Sequence, residues 1–396
     1  MKVNTVPLSK IVSALESGGR PPGGIVAGEG EVFSLGGEHL NEYGGFDLSN
    51  KRFIPRAFYE QMKRGVVQPR DILIVKDGAT TGKVSYVGEN LPYSPCAINE
   101  HLFRLAVDDK VADSAYVFYY LLSPKGNREI LQDFHGATVG GISQRFGEKV
   151  YVPLPPLPEQ KRIAAILAKA DRLRRLRRYA RELSDTYLQS VFLEMFGDPV
   201  TNPMGWEVLP LTSLSEGINY GVTAPASTKP VGPKFLRITD IQQGMVEWEN
   251  VPYCEISEKD TRNSALDNGD IVFARTGATT GKSFLIQDCP KDAVFASYLI
   301  RVKPGARIDP FYLFGYFQSP AYWLQISSSA SGSAQSGVNA TKLGQLKVPV
   351  PPLPRQQEFA HVAREFERLR SQQREAERQA EHLFQTLLYR AFLGEV

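Results

Sequence analysis

From residue 159 to residue 196, apolar side chains recur at three- and four-residue steps: Ile163, Ile166, Ala170, Leu173, Leu176, Ala180, Leu183, Tyr187 and Val191. Neither proline nor glycine interrupts this run before Gly197. A second run, Phe359, Val362, Phe366, Leu369, Ala376, Ala380, Leu383 and Leu387, keeps the same alternation, with Gln373 as its polar interruption. The spacing predicts two long amphipathic helices that meet along a coiled-coil seam. At about 1.5 Å per residue, roughly 35–40 residues make a rod of roughly 50–60 Å. An exposed helix of that length needs a partner stripe, and the nearest one is the other copy in the same chain. The candidate seam residues are Ile163, Ile166, Ala170 and Leu173 on the first helix, and Phe359, Val362, Phe366, Leu369 and Leu383 on the second.

Each run follows a stiff proline-rich entry, Pro153-Leu154-Pro155-Pro156-Leu157-Pro158 and Pro349-Val350-Pro351-Pro352-Leu353-Pro354. The remainder of each half reads as β-rich. Asp71-Ile72-Leu73-Ile74 is echoed by Asp270-Ile271-Val272-Phe273, and His101-Leu102-Phe103-Arg104-Leu105 by Tyr298-Leu299-Ile300-Arg301-Val302. Short apolar runs rich in β-branched residues, bounded by Gly, Pro, Asn and Asp, read as strands. Helices are expected at Ser114 to Leu122 and at Pro310 to Gln318. The whole chain thus reads as a duplication. Between the islands the halves diverge, as in Glu38 to Gly65 against Asp240 to Lys259, so they share a scaffold and differ in their loops. The expected fold class is α+β: two similar, mixed, mainly β domains separated by two long antiparallel coiled-coil helices, with pseudo-two-fold duplication. The expected divisions are 1–152, 153–198, 199–348 and 349–396.

Composition narrows the function. With 396 residues, 42% hydrophobic and 22% charged, the chain has the profile of a soluble globular protein. No apolar run approaches the roughly 20 residues of a membrane span, and three scattered cysteines supply neither a disulfide framework nor a metal site. A cytoplasmic location is expected. The net charge of +3 decides little; its distribution says more. Lys169, Arg172, Arg174, Arg175, Arg177, Arg178 and Arg181 crowd the first helix, with Asp171 the one acid between Lys161 and Arg181. A solvated helix face is one reading of such a run. Contact with DNA phosphates or with an acidic partner protein is the other.

The loop Gly78-Ala79-Thr80-Thr81-Gly82-Lys83 and its twin Gly277-Ala278-Thr279-Thr280-Gly281-Lys282 invite a phosphate-binding reading. A nucleotide-binding P-loop needs four residues between its glycines and a helix after its Lys-Ser/Thr. Here three residues intervene and the following residues read as strand. Two readings remain: a tight turn that needs glycine, or such a turn whose Thr80, Thr81, Lys83, Thr279, Thr280 and Lys282 also touch nucleic-acid phosphates. A second pair of small-polar loops precedes each proline junction. The candidates for base contact there are Gly140, Ser143, Gln144 and Arg145 in the first, and Gln335, Ser336 and Asn339 in the second. Arg237 is a further candidate DNA contact. Five histidines (His39, His101, His135, His361, His382) show no metal-ligand spacing, so neither a catalytic nor a metal site is expected.

Taken together, Pro155-Pro156-Leu157-Pro158-Glu159-Gln160 with Ile163-Ala164, Pro351-Pro352-Leu353-Pro354-Arg355-Gln356-Gln357, the paired Gly-Thr loops, and Phe196-Gly197-Asp198-Pro199 leading to Trp206 resemble the specificity (S) subunit of type I restriction-modification systems. The likeness covers nearly the whole chain and departs at Arg355 and Glu358, where the first copy has Glu159 and Lys161-Arg162. The resemblance implies a non-catalytic subunit with two target-recognition domains, each reading half of a bipartite double-stranded DNA site, and paired helices that act as a ruler. It further implies two methyltransferase subunits using S-adenosylmethionine and motor-nuclease subunits using ATP and Mg²⁺, with no cofactor in this chain. The alternatives are a coiled-coil scaffold that binds protein or carbohydrate, and a nucleotide hydrolase or nuclease built on the Gly-Thr loops.

Overall fold

The computed structural model describes residues 4–24, 26–27, 30–89, 93–136, 140–242, 244–277, 279–328 and 337–393, the side chains of 26, 27, 185, 186 and 328 aside. It divides into two compact units: residues 1–178 with 376–396, and residues 179–375.

In the first unit, Val12–Ser17, Leu102–Val107, Ile72–Val75 and Val84–Tyr86 form, in that order, an antiparallel four-stranded sheet. A second sheet runs Val26–Ala27, Arg52–Ile54, Val32–Leu35, Cys96–Ile98, its last pair parallel. Thr5–Pro7 pairs with Tyr151–Pro153. The apolar run Ile72–Val75 is buried along its length because both faces are covered. Ile72 and Ile74 enter a core with Tyr116 and Tyr120 of the helix Ser114–Leu122, while Leu73 and Val75 pack with Phe33, Leu35 and Cys96. Alternate side chains leave a strand on opposite faces, so a doubly covered strand reads as a continuous apolar run.

The second unit repeats this plan. Ser215–Tyr220, Leu299–Pro304, Ile271–Ala274 and Ser283–Leu285 take the same order in a four-stranded sheet. Phe235–Leu236 pairs in parallel with Val294–Phe295, and Glu207–Pro210 pairs with Lys347–Val350. The first strand of each four-stranded sheet carries a register shift, between Val12 and Ala14 and between Ser215 and Gly217. Each sheet also carries an ion pair at equivalent points. Arg104 binds Asp71 and Glu16, and Arg301 lies 3.5 Å from Asp270. The units differ where the sequences diverge: among the described residues the second unit has no strands paired as Val26–Ala27 and Arg52–Ile54 are in the first, and it carries a small hairpin, Ile241–Gln242 against Met245–Val246.

The long helices span Leu157–Phe196 and Leu353–Ala391. Gly197 ends the first at φ +74°, a backbone conformation open to glycine. In the first unit Arg174 meets Glu381 and Arg178 meets Glu377, while Ile163, Ala164, Leu167 and Ala170 share a core with Phe384 and Leu388. In the second unit Ser184 donates a 2.9 Å hydrogen bond to Gln373, Tyr187 stacks on Phe366 with ring centroids 5.1 Å apart, and Phe192 and Phe196 pack on Phe359. Within each unit, rising numbers on one helix meet falling numbers on the other, so the pairing is antiparallel as expected.

The seam departs from the strict heptad assignment. Ile163, Ala170 and Phe359 are buried, and Ile166, Val362 and Phe366 are half-buried, but Leu173, Leu369 and Leu383 are 39%, 49% and 45% exposed. Leu167, Phe384 and Leu388 fill the first unit's contact in their place. The reason is that each helix end faces a globular core as well as its partner helix. It therefore presents a wide stripe at period 3.6, whereas a heptad reading assumes the narrow seam of an isolated coiled coil. Nearer the middle of the helices the contact is polar, through Arg174, Arg178, Ser184, Gln373, Glu377 and Glu381.

Candidate nucleic-acid interface

Both Gly-Thr loops are tight strand-to-strand turns. In the first, the Val75 N–H donates to the Lys83 carbonyl and the Gly82 N–H to the Val75 carbonyl, each at 2.9 Å. Ala274, Lys282 and Gly281 repeat this pattern at 2.9 Å in the second. Gly78, Gly82, Gly277 and Gly281 all take φ between +83° and +92°, which a side chain strongly disfavours. The Thr81 and Thr280 hydroxyls donate back to the Gly78 and Gly277 carbonyls at 2.7 and 2.6 Å. Strands Val84–Tyr86 and Ser283–Leu285 follow, so neither loop faces phosphates with a helix N-terminus, and the nucleotide-hydrolase reading finds no support. Thr80 and Thr279 are half-buried and Lys282 is exposed. Lys83 is half-buried in a groove with Asn41, Asn127 and Gln385.

The second pair of loops lies beside the first. The Gly78 N–H donates to the Gly140 carbonyl at 3.2 Å, and Ile142 to the Lys76 carbonyl at 2.8 Å; in the second unit Val338 donates to the Arg275 carbonyl at 3.1 Å. Several sequence candidates already have structural partners. Ser143 donates through its N–H and its hydroxyl to Asp133, at 2.8 and 2.7 Å. Gln144 donates to the Leu15 carbonyl at 3.1 Å. Asn339 caps the helix Ala340–Gly344 by accepting from Lys342 at 2.8 Å. Arg237 grips Asp240 through two nitrogens, at 3.0 and 2.7 Å. Arg145 is exposed, and Gly140 lies under the half-exposed ring of Phe134. Gln335 and Ser336 lie outside the described residues.

Asp133 anchors the first of these loops. Burial pushes its carboxyl up, but the 2.7 Å ion pair with Lys149 and the bonds from Ser143 outweigh burial and pull its pKa down to about 2. A depressed carboxylate adds stability above its unfolded pKa and loses it as pH falls through the folded value. Asp133→Asn should therefore cost about 2 kcal/mol at neutral pH. The stability curves of the two proteins should converge between about pH 4 and pH 2, as measured by urea unfolding across pH. Parallel curves would remove Asp133 from this role.

Sequence reasoning missed a cluster at the crest of the first unit. His101 Nδ1 lies 2.5 Å from Asp77, Lys76 donates to the Glu100 carbonyl at 3.0 Å, and Arg20 lies 3.6 Å from Glu100. The equivalent crest in the second unit holds Arg275, Thr276, Ser297 and the 65% exposed Tyr298. The available signal was the alignment of His101 with Tyr298, in which chemistry changes at the head of an otherwise similar strand.

Three of the seven basic residues of the run on the first helix are spent inside the first unit. Arg174 is buried and donates to Asp171 at 2.7 Å, to Glu381 at 3.2 Å and to the Tyr43 carbonyl at 2.9 Å, with its guanidinium 3.7 Å from the Phe384 ring centroid. Arg175 donates to Asp171 at 2.9 Å, and Arg178 sits 3.2 Å from the Tyr43 ring centroid and 3.5 Å from Glu377. Lys169, Arg172 and Arg177 point outward.

The proline junctions are held by a duplicated clasp. Gln160, almost fully buried, accepts from the Asp113 N–H at 2.9 Å and donates to the Pro155 carbonyl at 2.8 Å; the Tyr116 hydroxyl donates to the Pro153 carbonyl at 2.8 Å. Gln356 bonds Asp309 and Pro351 at 2.8 and 2.7 Å, and Tyr312 bonds Pro349 at 2.7 Å. Asp113 and Asp309 cap the helices Ser114–Leu122 and Pro310–Phe317. Proline restricts the backbone, and the glutamine ties it to the globular core. Gln160→Ala and Gln356→Ala should each cost about 1–3 kcal/mol, because a buried N–H and a buried carbonyl lose their partners. Urea unfolding tests this, and a loss below about 0.5 kcal/mol would make the clasp incidental.

Residues 45–181 and 203–379 match the family described as type I restriction modification DNA specificity domain. The specificity subunit of the type I restriction enzyme EcoKI from Escherichia coli (strain K12) is 23% identical over 381 residues, spanning 89% of this chain and 80% of its own. That of MjaVIII from Methanocaldococcus jannaschii is 23% identical over 355 residues, spanning 84% and 81%. The crystal structure of a type I restriction-modification S subunit from M. genitalium shares the fold, with a TM-score of 0.62 at 12% identity over 99% of this chain and 96% of that one. With both repeats matched and both folding to one plan, the chain belongs to the type I restriction modification DNA specificity family and is a specificity subunit for sequence-specific DNA recognition.

Proposed function

We propose that each globular repeat reads one half of a bipartite duplex site and that the two long helices set the gap between the halves. The observation that carries this reading is the repeat itself: strand order and register are shared, while the exposed crest chemistry differs. Shared backbone with changed side chains suits two readers of different sequences. The Gly-Ala-Thr-Thr-Gly-Lys loops, identical in both repeats, suit phosphate contacts, which fix register and carry no sequence information. Thr80, Thr81, Lys83, Thr279, Thr280 and Lys282 belong to that set, with Arg145 beside it in the first repeat.

The chain acts without catalysing. Methyltransferase subunits bring S-adenosylmethionine and flip the target base; motor-nuclease subunits bring ATP and Mg²⁺. Lys169, Arg172 and Arg177, with the exposed Leu173 and Leu176, form a basic and apolar helix face suited to docking one methyltransferase subunit, and the second docks on the other repeat. The complex works in the cytoplasm; among the described residues no helix is long and apolar enough to cross a membrane. Methylation mapping of DNA from cells expressing the chain with a methyltransferase subunit should yield two different short half-sites at a fixed gap. A single uninterrupted motif would overturn the reading.

A further inference from the structure

We infer that Arg275 reads a guanine in the half-site taken by the second repeat, and that its counterpart in the first repeat, Lys76, has been withdrawn from that role. The inference rests on the bipartite reading above and assigns one of its contacts.

The two positions are structurally the same. The Lys76 N–H donates to the His101 carbonyl at 2.8 Å and its carbonyl accepts from Ile142 at 2.8 Å. The Arg275 N–H donates to the Tyr298 carbonyl at 3.1 Å and its carbonyl accepts from Val338 at 3.1 Å. Both residues thus sit between the end of a core strand and two loops, with backbone fixed on either side.

Their side chains are treated differently. Lys76 is drawn sideways: its ammonium donates to the Glu100 carbonyl at 3.0 Å and lies 3.8 Å from Asp77. Arg275 is exposed, and among the described residues no carboxylate or acceptor holds its guanidinium. Its guanidinium carbon lies over the ring of Tyr220, 5.0 Å from the centroid. The Tyr220 hydroxyl is itself tied by the Ala340 N–H at 3.1 Å. A ring occupies the face of a guanidinium and leaves its N–H edge available, the geometry that meets O6 and N7 of guanine with two parallel bonds. The acid beside Lys76 has no equivalent here: Thr276 stands for Asp77. A phosphate contact would be equally useful in both repeats, as the identical Gly-Thr loops are. A residue that changes in type and in pairing between equal scaffolds fits base readout.

The test uses the full chain assembled with its methyltransferase subunits and compares wild type with Arg275→Lys and Arg275→Gln by methylation mapping and by DNA binding at several salt concentrations. One guanine position of one half-site should lose discrimination by roughly tenfold to a hundredfold in Arg275→Gln, less in Arg275→Lys. The other half-site and the gap should stay unchanged. Urea unfolding should also be unchanged, since the guanidinium is exposed. An unaltered site, or uniform weakening over all sequences with the salt slope reduced by about one, overturns the inference while leaving the bipartite reading intact. Failure of the wild-type complex to yield a bipartite site sinks the bipartite reading instead.

Discussion

Removing seven residues from each long helix, 179–185 and 370–376, should shorten the unread gap in the DNA target and leave both half-sites as they were. The two segments lie between the Arg178–Glu377 pair and the Tyr187–Phe366 stack, so the deletion removes facing stretches together and spares both contacts. One heptad preserves the side on which the helices meet. It takes out about 10 Å of rod, equivalent to at most about 3 bp at 3.4 Å per step. The original site should then fall to background methylation, and a site shortened by one to three base pairs should take its place. Methylation mapping of the deleted and intact chains with the same methyltransferase partner gives the answer. An unchanged gap would show that the helices do not measure it.

Arg174→Ala should destabilise the first unit by about 3–5 kcal/mol, the usual consequence of removing one partner from a buried charged set. The cost arises from what remains: Glu381 and the Tyr43 carbonyl lose a donor, and Phe384 loses its guanidinium. Asp171 is less exposed to the change because Arg175 still binds it at 2.9 Å. The pair Arg174→Met with Glu381→Met should recover much of the loss, since methionine fills the volume and no charge is stranded. Urea unfolding of the single and double variants separates the two effects. A single variant within 1 kcal/mol of wild type would mean that solvent replaces the arginine at little cost.

Much of this fold is legible in the residues. The helix expected at Ser114 to Leu122 spans those residues, and its repeat runs Pro310–Phe317. The apolar runs at Ile72 and Ile271 are strands buried on both faces. The sites are less legible. Ser143, Asn339 and Arg237 have the chemistry of base readers, yet they hold a loop, a helix start and a turn. Polar residues bind the nearest unsatisfied group, and the sequence does not say which group is near. The clasp at Gln160 shows the same limit: its place in the motif was visible, but its bond to Asp113 spans 47 residues.

By itself the sequence determined the duplication, the long helices and their proline entries, because periodicity and backbone restriction act over a few residues and leave a local mark. Tertiary structure alone decided which faces those helices bury and what becomes of the basic run. Arg174 and Glu381 are separated by 207 residues, and neither carries a sign of the other. The cores into which Leu167 and Phe384 pack take Leu173 and Leu383 out of the seam, since burial is set by everything that surrounds a helix, and a repeat pattern describes only the helix.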